Sequence, residues 1–288
     1  MAMHLDFVVP GFSKCGTTTL CDMLAVHPDI FMPENKEPNF FVFPNLWGNW
    51  DWYESLFAPG AGKRLWGEGS TFYSAASDEV KVRERMLSRF PDVRLIFIAR
   101  DPLARIESSY REFHNSGSRY AVAAPYSFME AFQALPNLIE DTRYWSRLEN
   151  YRRHMPDDHI HVVFFEDLVS APQATLAGCF EFLEVSPDIA PATLRQLNSG
   201  ETKYYDTRLM RWLRLHPRWG KPLSRHVLEV QDKYAIPLGL RRRFGDRPLL
   251  AAQPEARAYA LEMLGEECRQ LLAWCGKPAD FWPSLAKR

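Results

Sequence analysis

The sequence predicts an α/β fold of three layers, with a central parallel sheet flanked by helices. Three observations predict it. Short apolar runs of β type alternate with helical patterns along most of the 288 residues, and such alternation implies a parallel sheet covered on both faces. The clearest run, Val93-Arg94-Leu95-Ile96-Phe97-Ile98-Ala99, is bounded by Pro91-Asp92 before and Asp101-Pro102 after. The first run, Phe7-Val8-Val9-Pro10, passes through the short turn Gly11-Phe12-Ser13-Lys14-Cys15-Gly16 directly into the hydroxyl-rich helix start Thr17-Thr18-Thr19-Leu20.

Taken in order, Leu5 to Val9 is the first strand and Thr17 to Val26 the helix after its turn. Arg64 to Glu68 is a weaker second strand. Asp78 to Phe90 is a helix, charged on one side, with Val80, Val82, Met86 and Leu87 on the other. The strand Val93–Ala99 is followed by a helix from Leu103 to Asn115. A helix from Thr142 to Met155 leads through the turn Pro156-Asp157-Asp158 to a fourth strand, Ile160 to Phe165, and then a helix from Pro172 to Leu183. Pro254 to Trp274 starts with Pro inside its first turn and ends before Gly276, as a capped helix should. The stretch from Pro187 to Pro248 is loop-rich. The chain is read as one domain over 1–288, with this stretch, at about 187–248, as a basic cover.

The turn after the first strand aims successive backbone N–H groups and the positive end of a helix dipole at one spot, which suits a phosphate or sulfate group. Gly11 to Gly16 has Walker A spacing, so the fold is expected to be P-loop-like. Yet Thr17 stands where the phosphate-gripping lysine belongs, and the lysine is inside the turn at Lys14. That displacement argues against ATP and for another phosphorylated donor. Lys14, Cys15, Gly16, Thr17 and Thr18 are the candidate anion-binding residues.

In open parallel sheets ligands bind beyond the carboxyl ends of the strands. The stretch Arg100-Asp101-Pro102-Leu103-Ala104-Arg105-Ile106-Glu107-Ser108-Ser109-Tyr110 opens at such an end. Arg100 and Ser108 could hold a second phosphate; the alternative is an Arg100–Asp101 ion pair with Ser108 in solvent. In Glu34-Asn35-Lys36-Glu37-Pro38-Asn39-Phe40-Phe41, Glu37 could take a proton from an attacking hydroxyl, if the first helix packs back onto the sheet and brings this loop to the turn. The alternative is a surface charge beside a proline. Glu68 at the second strand's end, and more remotely His114, are reserve candidates for the base.

Composition bounds the rest. Nearly half the residues are apolar, and the net charge of -1 gives no global case for nucleic-acid binding. The segment Lys203 to Arg247 is locally basic, with twelve Lys/Arg against four Asp/Glu. That is either a solvated face or an anion-facing surface. Cys15, Cys21, Cys179, Cys268 and Cys275 are odd in number and lack close-paired metal spacing, which fits a reducing compartment and a cytoplasmic location. Neither a membrane span nor a signal segment is expected. Trp47, Trp50, Trp52 and Tyr53 could form a sugar-stacking platform or pack under a loop.

Together these stretches resemble the sulfotransferases that use 3′-phosphoadenosine 5′-phosphosulfate (PAPS), nearest the heparan sulfate glucosaminyl 3-O- and N-sulfotransferase branch. Lys14-Cys15-Gly16-Thr17-Thr18 resembles that branch's 5′-phosphosulfate loop, and Arg100 with Ser108 is similar to its 3′-phosphate motif. Asn35 to Phe41 resembles its loop bearing the catalytic glutamate. Trp52-Tyr53 with Phe57, and Glu68-Gly69-Ser70 with Tyr73, fall where that branch has an aromatic loop and a substrate-facing strand end. Asn198 to Tyr205, best at Thr202-Lys203, resembles its late donor-binding loop. The likeness covers roughly residues 5 to 210. It departs at Gly69, where the branch's glycan enzymes often carry a lysine, and in the C-terminal third.

The resemblance implies a PAPS-dependent sulfotransferase acting by in-line transfer without a metal and releasing adenosine 3′,5′-bisphosphate (PAP). Its catalytic residues would be Glu37 as base and Lys14. Its donor-binding residues would be Lys14, Cys15, Gly16, Thr17, Thr18, Arg100, Ser108, Lys203, Tyr204 and Tyr205. The acceptor would be a hydroxyl or amine, of a glycan or glycolipid first, and of a peptidyl tyrosine or small metabolite second. The residue-level alternatives are a P-loop-type kinase, with Asp101 or Glu166 on Mg²⁺, and a non-catalytic binder of adenosine bisphosphate.

Overall fold

The structure is a computed structural model, described over residues 3–44, 48–116, 124–188, 203–215, 233–245 and 249–286. In chain order its elements are β1 (Phe7–Gly11), α1 (Thr17–Leu24), β2 (Ile30–Phe31), α2 (Trp50–Ser55), β3 (Leu65–Glu68), α3 (Glu79–Arg89), β4 (Arg94–Ala99), α4 (Pro102–Ser116), α5 (Phe128–Ala134), α6 (Asn137–Glu140), α7 (Tyr144–Arg152), β5 (Ile160–Phe164), α8 (Phe165–Ser170), α9 (Pro172–Phe182), β6 (Tyr204–Asp206), α10 (Arg208–Leu215), β7 (Arg241–Arg243) and α11 (Pro254–Trp274). They form two compact units. One comprises Met1–Asp101, Asp141–Leu197 and Gly265–Arg288, the other Pro102–Glu140 and Asn198–Leu264.

The first unit holds the five-stranded sheet, in order β2-β3-β1-β4-β5. Every pairing is parallel, so the expected central parallel sheet is what the chain builds. Leu95 to Ala99 are wholly buried, as are Phe7, Val8 and Val9. That explains the unbroken apolar runs: a central strand covered on both faces has no polar side to alternate with. The order also locates the site. From β1 the chain runs to β2 and β3 on one side, then crosses to β4 and β5 on the other. The carboxyl ends of β1 and β4 therefore flank the reversal of strand order, where α/β sheets take their ligands.

Helices α3 and α7 pack together in this unit. Glu79 accepts from Asn150 and pairs with Arg147 at 2.6 Å. On α7, Tyr144, Leu148 and Tyr151 fall on one wholly buried face, at the i, i+4, i+7 spacing of a helix stripe. The Tyr151 hydroxyl donates to Tyr73 O at 2.6 Å.

In the second unit α4 buries Leu103, Ile106 and Tyr110. Arg105, only 1% exposed, donates to the carbonyls of Asn137 and Leu138 at 3.3 and 3.1 Å, where α6 begins. The stretch expected to be loop-rich also carries regular structure. β6 and β7 pair antiparallel, with Tyr204 opposite Arg243, Tyr205 opposite Arg242 and Asp206 opposite Arg241; Arg241 and Asp206 form a buried ion pair at 2.9 Å. A three-residue strand leaves little periodicity to read, and its partner lies far along the chain. Among the described residues, no helix is long and apolar enough to cross a membrane.

Candidate active site

The turn after β1 is built from backbone geometry. Phe12 N donates to Ile98 O at 2.8 Å, fixing the turn to β4. Lys14 and Gly16 both have left-handed backbone, with φ 67° and 99°. These two reversals bring the chain round so that α1 starts at Thr17. The first N–H groups of a helix have no acceptor inside it, so with the dipole they present a positive face. Cys15 is a structural residue here: its side chain is wholly buried, its Sγ lies 3.5 Å from the Tyr144 hydroxyl, and its N–H closes the turn onto Phe12 O at 3.2 Å.

The loop after β2 brings Lys36 and Glu37 to this turn. Lys36 Nζ donates to Thr17 Oγ1 at 3.2 Å, to Thr18 Oγ1 at 3.3 Å and to Glu37 Oε1 at 2.7 Å. Thr71 Oγ1 donates to Glu37 Oε2 at 3.2 Å. The Glu37 side chain is 35% exposed, so this carboxylate is held yet open to solvent. The pair Thr17-Thr18 and Glu37, 19 to 20 positions apart in the sequence, thus meet at a single ammonium.

Glu68 is elsewhere in character. Expected on the rim as a reserve base, it is wholly buried at the end of β3. Tyr53 and Tyr73 hydroxyls donate to its Oε1 at 3.0 and 2.7 Å, and Ser70 donates to Oε2. Burial pushes its carboxyl up to about 7 against the pull of those hydroxyls. The cage also anchors the Glu37 loop, because Asn39 N donates to Ser70 Oγ at 2.9 Å and Phe41 N donates to the Tyr73 hydroxyl at 3.4 Å. The same cage accounts for Tyr53, which is wholly buried and stacked on Phe40 at 4.5 Å. Trp50 packs against Phe40 and Tyr53. These two rings pack under the loop; Trp47 lies outside the described residues.

Arg100 follows β4. Its carbonyl accepts from the Tyr144 hydroxyl at 2.9 Å, and its guanidinium lies 4.5 Å above the Phe165 ring. Phe165 opens α8 rather than ending the fourth strand. Asp101 N donates to Glu166 Oε1 at 2.9 Å, while Trp282 Nε1 donates to Glu166 Oε2 at 3.0 Å. Both oxygens of that carboxylate therefore hold the fold.

The remaining sequence-predicted residues lie in the second unit. Ser108 is half-buried on α4. Lys203 pairs with Glu112 at 2.7 Å. Tyr204 N donates to Asn115 Oδ1 at 3.1 Å, its hydroxyl accepts from Arg243, and Tyr205 packs on Phe244 at 4.9 Å. Asn198 to Thr202 lie outside the described residues. His114, the remote reserve base, is nearly buried on α4: Nδ1 faces Arg211 at 3.2 Å and Nε2 faces Pro125 O at 3.2 Å. One neutral tautomer satisfies both contacts, with Nε2–H donating and Nδ1 accepting. Burial and the Arg211 charge push it down to about 4.

Two residues of the site escaped sequence reasoning. Lys36 sits inside a motif read for its neighbour, and its charge beside Glu37 was the available signal. Phe165, as the last apolar residue of a run, carried none. A cavity of about 890 Å³ also opens in the first unit, lined by Leu5, Asp6, Leu65, Val93 and Arg94 among others, at the amino ends of the strands and away from this turn.

Comparison with known proteins gives the family and the fold. The sulfotransferase-domain family profile matches residues 5–204. The chain is 29% identical over 199 residues to the mouse (Mus musculus) bifunctional heparan sulfate N-deacetylase/N-sulfotransferase 3, covering 63% of this chain and 22% of that protein. It is 25% identical over 197 residues to the human (Homo sapiens) heparan sulfate glucosamine 3-O-sulfotransferase 5, covering 65% and 55%. The matched stretch is thus about half, or less, of the length of these relatives. In fold, the chain is similar to a sulfotransferase from Alicyclobacillus acidocaldarius, with a TM-score of 0.68, 20% identity and coverage of 98% of this chain and 100% of that one. With the family match over residues 5–204 and the parallel sheet in agreement, the chain belongs to the sulfotransferase family.

Proposed function

We propose that the protein transfers the sulfuryl group of PAPS to a hydroxyl, or an amine, of a carbohydrate-containing acceptor, with Glu37 as the base. The observation that carries this reading is the meeting of a half-exposed carboxylate and the hydroxyls of an anion-binding helix start at one ammonium group. The heparan sulfate names of the relatives support a glycan or glycolipid acceptor.

The residues present fit a phosphosulfate. Gly16, with its left-handed backbone, the start of α1, and the Thr17 and Thr18 hydroxyls offer donors without a competing carboxylate in the turn itself. PAPS supplies a sulfuryl group already attached to a phosphate leaving group. Glu37 takes the proton of the attacking hydroxyl. Lys14, the turn and the α1 dipole stabilise charge that builds on the departing phosphate. Arg100 and Ser108 are assigned to the 3′-phosphate, and Lys203, Tyr204 and Tyr205 to the nucleotide cover, on the strength of the sequence motifs.

The test is incubation with radiolabelled PAPS and a panel of glycan, phenol and small alcohol acceptors, with ATP and Mg²⁺ as the control donor. Label is expected on a glycan from PAPS only. Phosphoryl transfer from ATP with none from PAPS would replace this reading with a kinase.

A further inference from the structure

The Lys36 ammonium carries three N–H donors, and its three contacts, to Thr17, Thr18 and Glu37, use all of them. It is therefore placed to hold other groups. The side chain is 18% exposed and passes close to Gly69 on its way to this point. A β-carbon on Gly69 would stand 2.8 Å from Lys36 Cε, 3.3 Å from its Cγ and 2.6 Å from Cys21 Sγ. Gly69 is not among the glycines with left-handed backbone, so its missing side chain is a matter of space. The two residues are also fastened through the backbone, Gly69 N donating to Lys36 O at 2.9 Å.

We infer that Lys36 is the positioning residue of this site: it fastens the Glu37 carboxylate to the Thr17 and Thr18 hydroxyls at the anion-binding helix start, and Gly69 keeps open the channel along which it reaches them. The inference deepens the proposed sulfuryl transfer and rests on it for its kinetic test. Without the ammonium, Glu37 keeps only the Thr71 hydroxyl among the contacts described above, and the base loses its fixed relation to the turn. A β-carbon at 69 meets the buried Cys21 Sγ first and Lys36 Cε next, so it crowds the lysine's path without removing any polar group.

The kinetic test compares wild type with Lys36→Met, Lys36→Ala, Gly69→Ala and the double variant Lys36→Ala/Gly69→Lys, with radiolabelled PAPS and the acceptor found above. Misplacement of a catalytic group by about 1 Å costs about 10²-fold. Lys36→Met and Lys36→Ala are expected to lower kcat by about that factor with little change in donor KM, and Gly69→Ala to lower it in the same manner. The double variant sends a lysine through the vacated channel from the other side and should recover about tenfold over Lys36→Ala, within the range of coupling between touching residues. A Lys36→Met enzyme with wild-type kcat, or a double variant no better than Lys36→Ala, overturns the inference. Crystal structures of wild type and Gly69→Ala test it independently of turnover: the ammonium should leave Glu37 and both threonines in the variant. Its staying in place would overturn the inference whatever the activity, whereas a wild type inert with PAPS would sink the sulfuryl-transfer reading and leave the crystallographic comparison to decide on Lys36.

Discussion

A β-carbon on Gly16 would stand 2.6 Å from the ring of Phe165, which itself lies beneath the Arg100 guanidinium at 4.5 Å. The turn after β1 and the residue after β4 are thus joined through one aromatic ring supplied by the start of α8. Gly16→Ala meets two penalties there, the clash and a φ of 99° that L side chains rarely adopt. It is expected to lose about 1–3 kcal/mol of stability and most affinity for PAP. Urea unfolding and titration calorimetry check the two effects separately. Wild-type stability would refute the packing argument.

Arg100 and Phe165 give a graded pair. Arg100→Ala is expected to weaken PAP binding by about 1.5–3 kcal/mol, the scale of a charged hydrogen bond. Phe165→Leu, which keeps an apolar side chain but loses the ring face, should weaken it by about 0.5–1 kcal/mol. Calorimetry with an analogue lacking the 3′-phosphate is the control. If Arg100→Ala still prefers PAP over that analogue as wild type does, Arg100 does not read the 3′-phosphate.

The caged Glu68 makes stability depend on pH. Its carboxyl is raised from 4.5 to about 7 in the folded state, so the native state binds the extra proton between those values. Stability therefore falls as pH rises through that window, by on the order of 3 kcal/mol, and is flat above it. Glu79, also pushed up to about 7 by burial, acts in the same direction. Glu68→Gln, which cannot ionise, should unfold with a shallower pH dependence than wild type between pH 5 and 7. Parallel profiles for the two proteins in urea titrations would show that Glu68 does not titrate there.

Glu37 and Lys14 should separate in kinetics. Glu37→Gln keeps shape but cannot take a proton, so kcat on an alcohol should fall about 10²–10⁴-fold with PAP affinity retained. Lys14→Ala should lower both, since a cation in the turn meets the donor before and during transfer. Single-turnover rates and calorimetry on the two variants decide. Near-wild-type rates for Glu37→Gln on the alcohol acceptor would remove it as the base.

Much of the fold was legible because local chemistry bounds it. Pro91-Asp92 and Asp101-Pro102 punctuate an apolar run that can only be an interior strand, and β4 occupies Arg94–Ala99 within it. The Gly11–Gly16 turn and the helix from Thr17 follow from short-range conformational rules. The two-residue β2, the three-residue β6 and β7 and the short helices such as α2, α6 and α8 did not show. Such pieces carry fewer than two periods of a pattern and are held by partners distant in sequence.

The sequence by itself determined four of the five sheet strands, the turn after β1 and the candidate base, since each is encoded in consecutive residues. Tertiary structure alone decided what those residues touch. It placed Glu68 in a cage of hydroxyls from Tyr53, Ser70 and Tyr73, set Phe165 against Gly16, and passed Lys36 close to Gly69 to join Glu37 to Thr17 and Thr18. Side-chain reach and burial depend on strand order and on which residues lack a β-carbon where chains cross, and neither is written in local spacing.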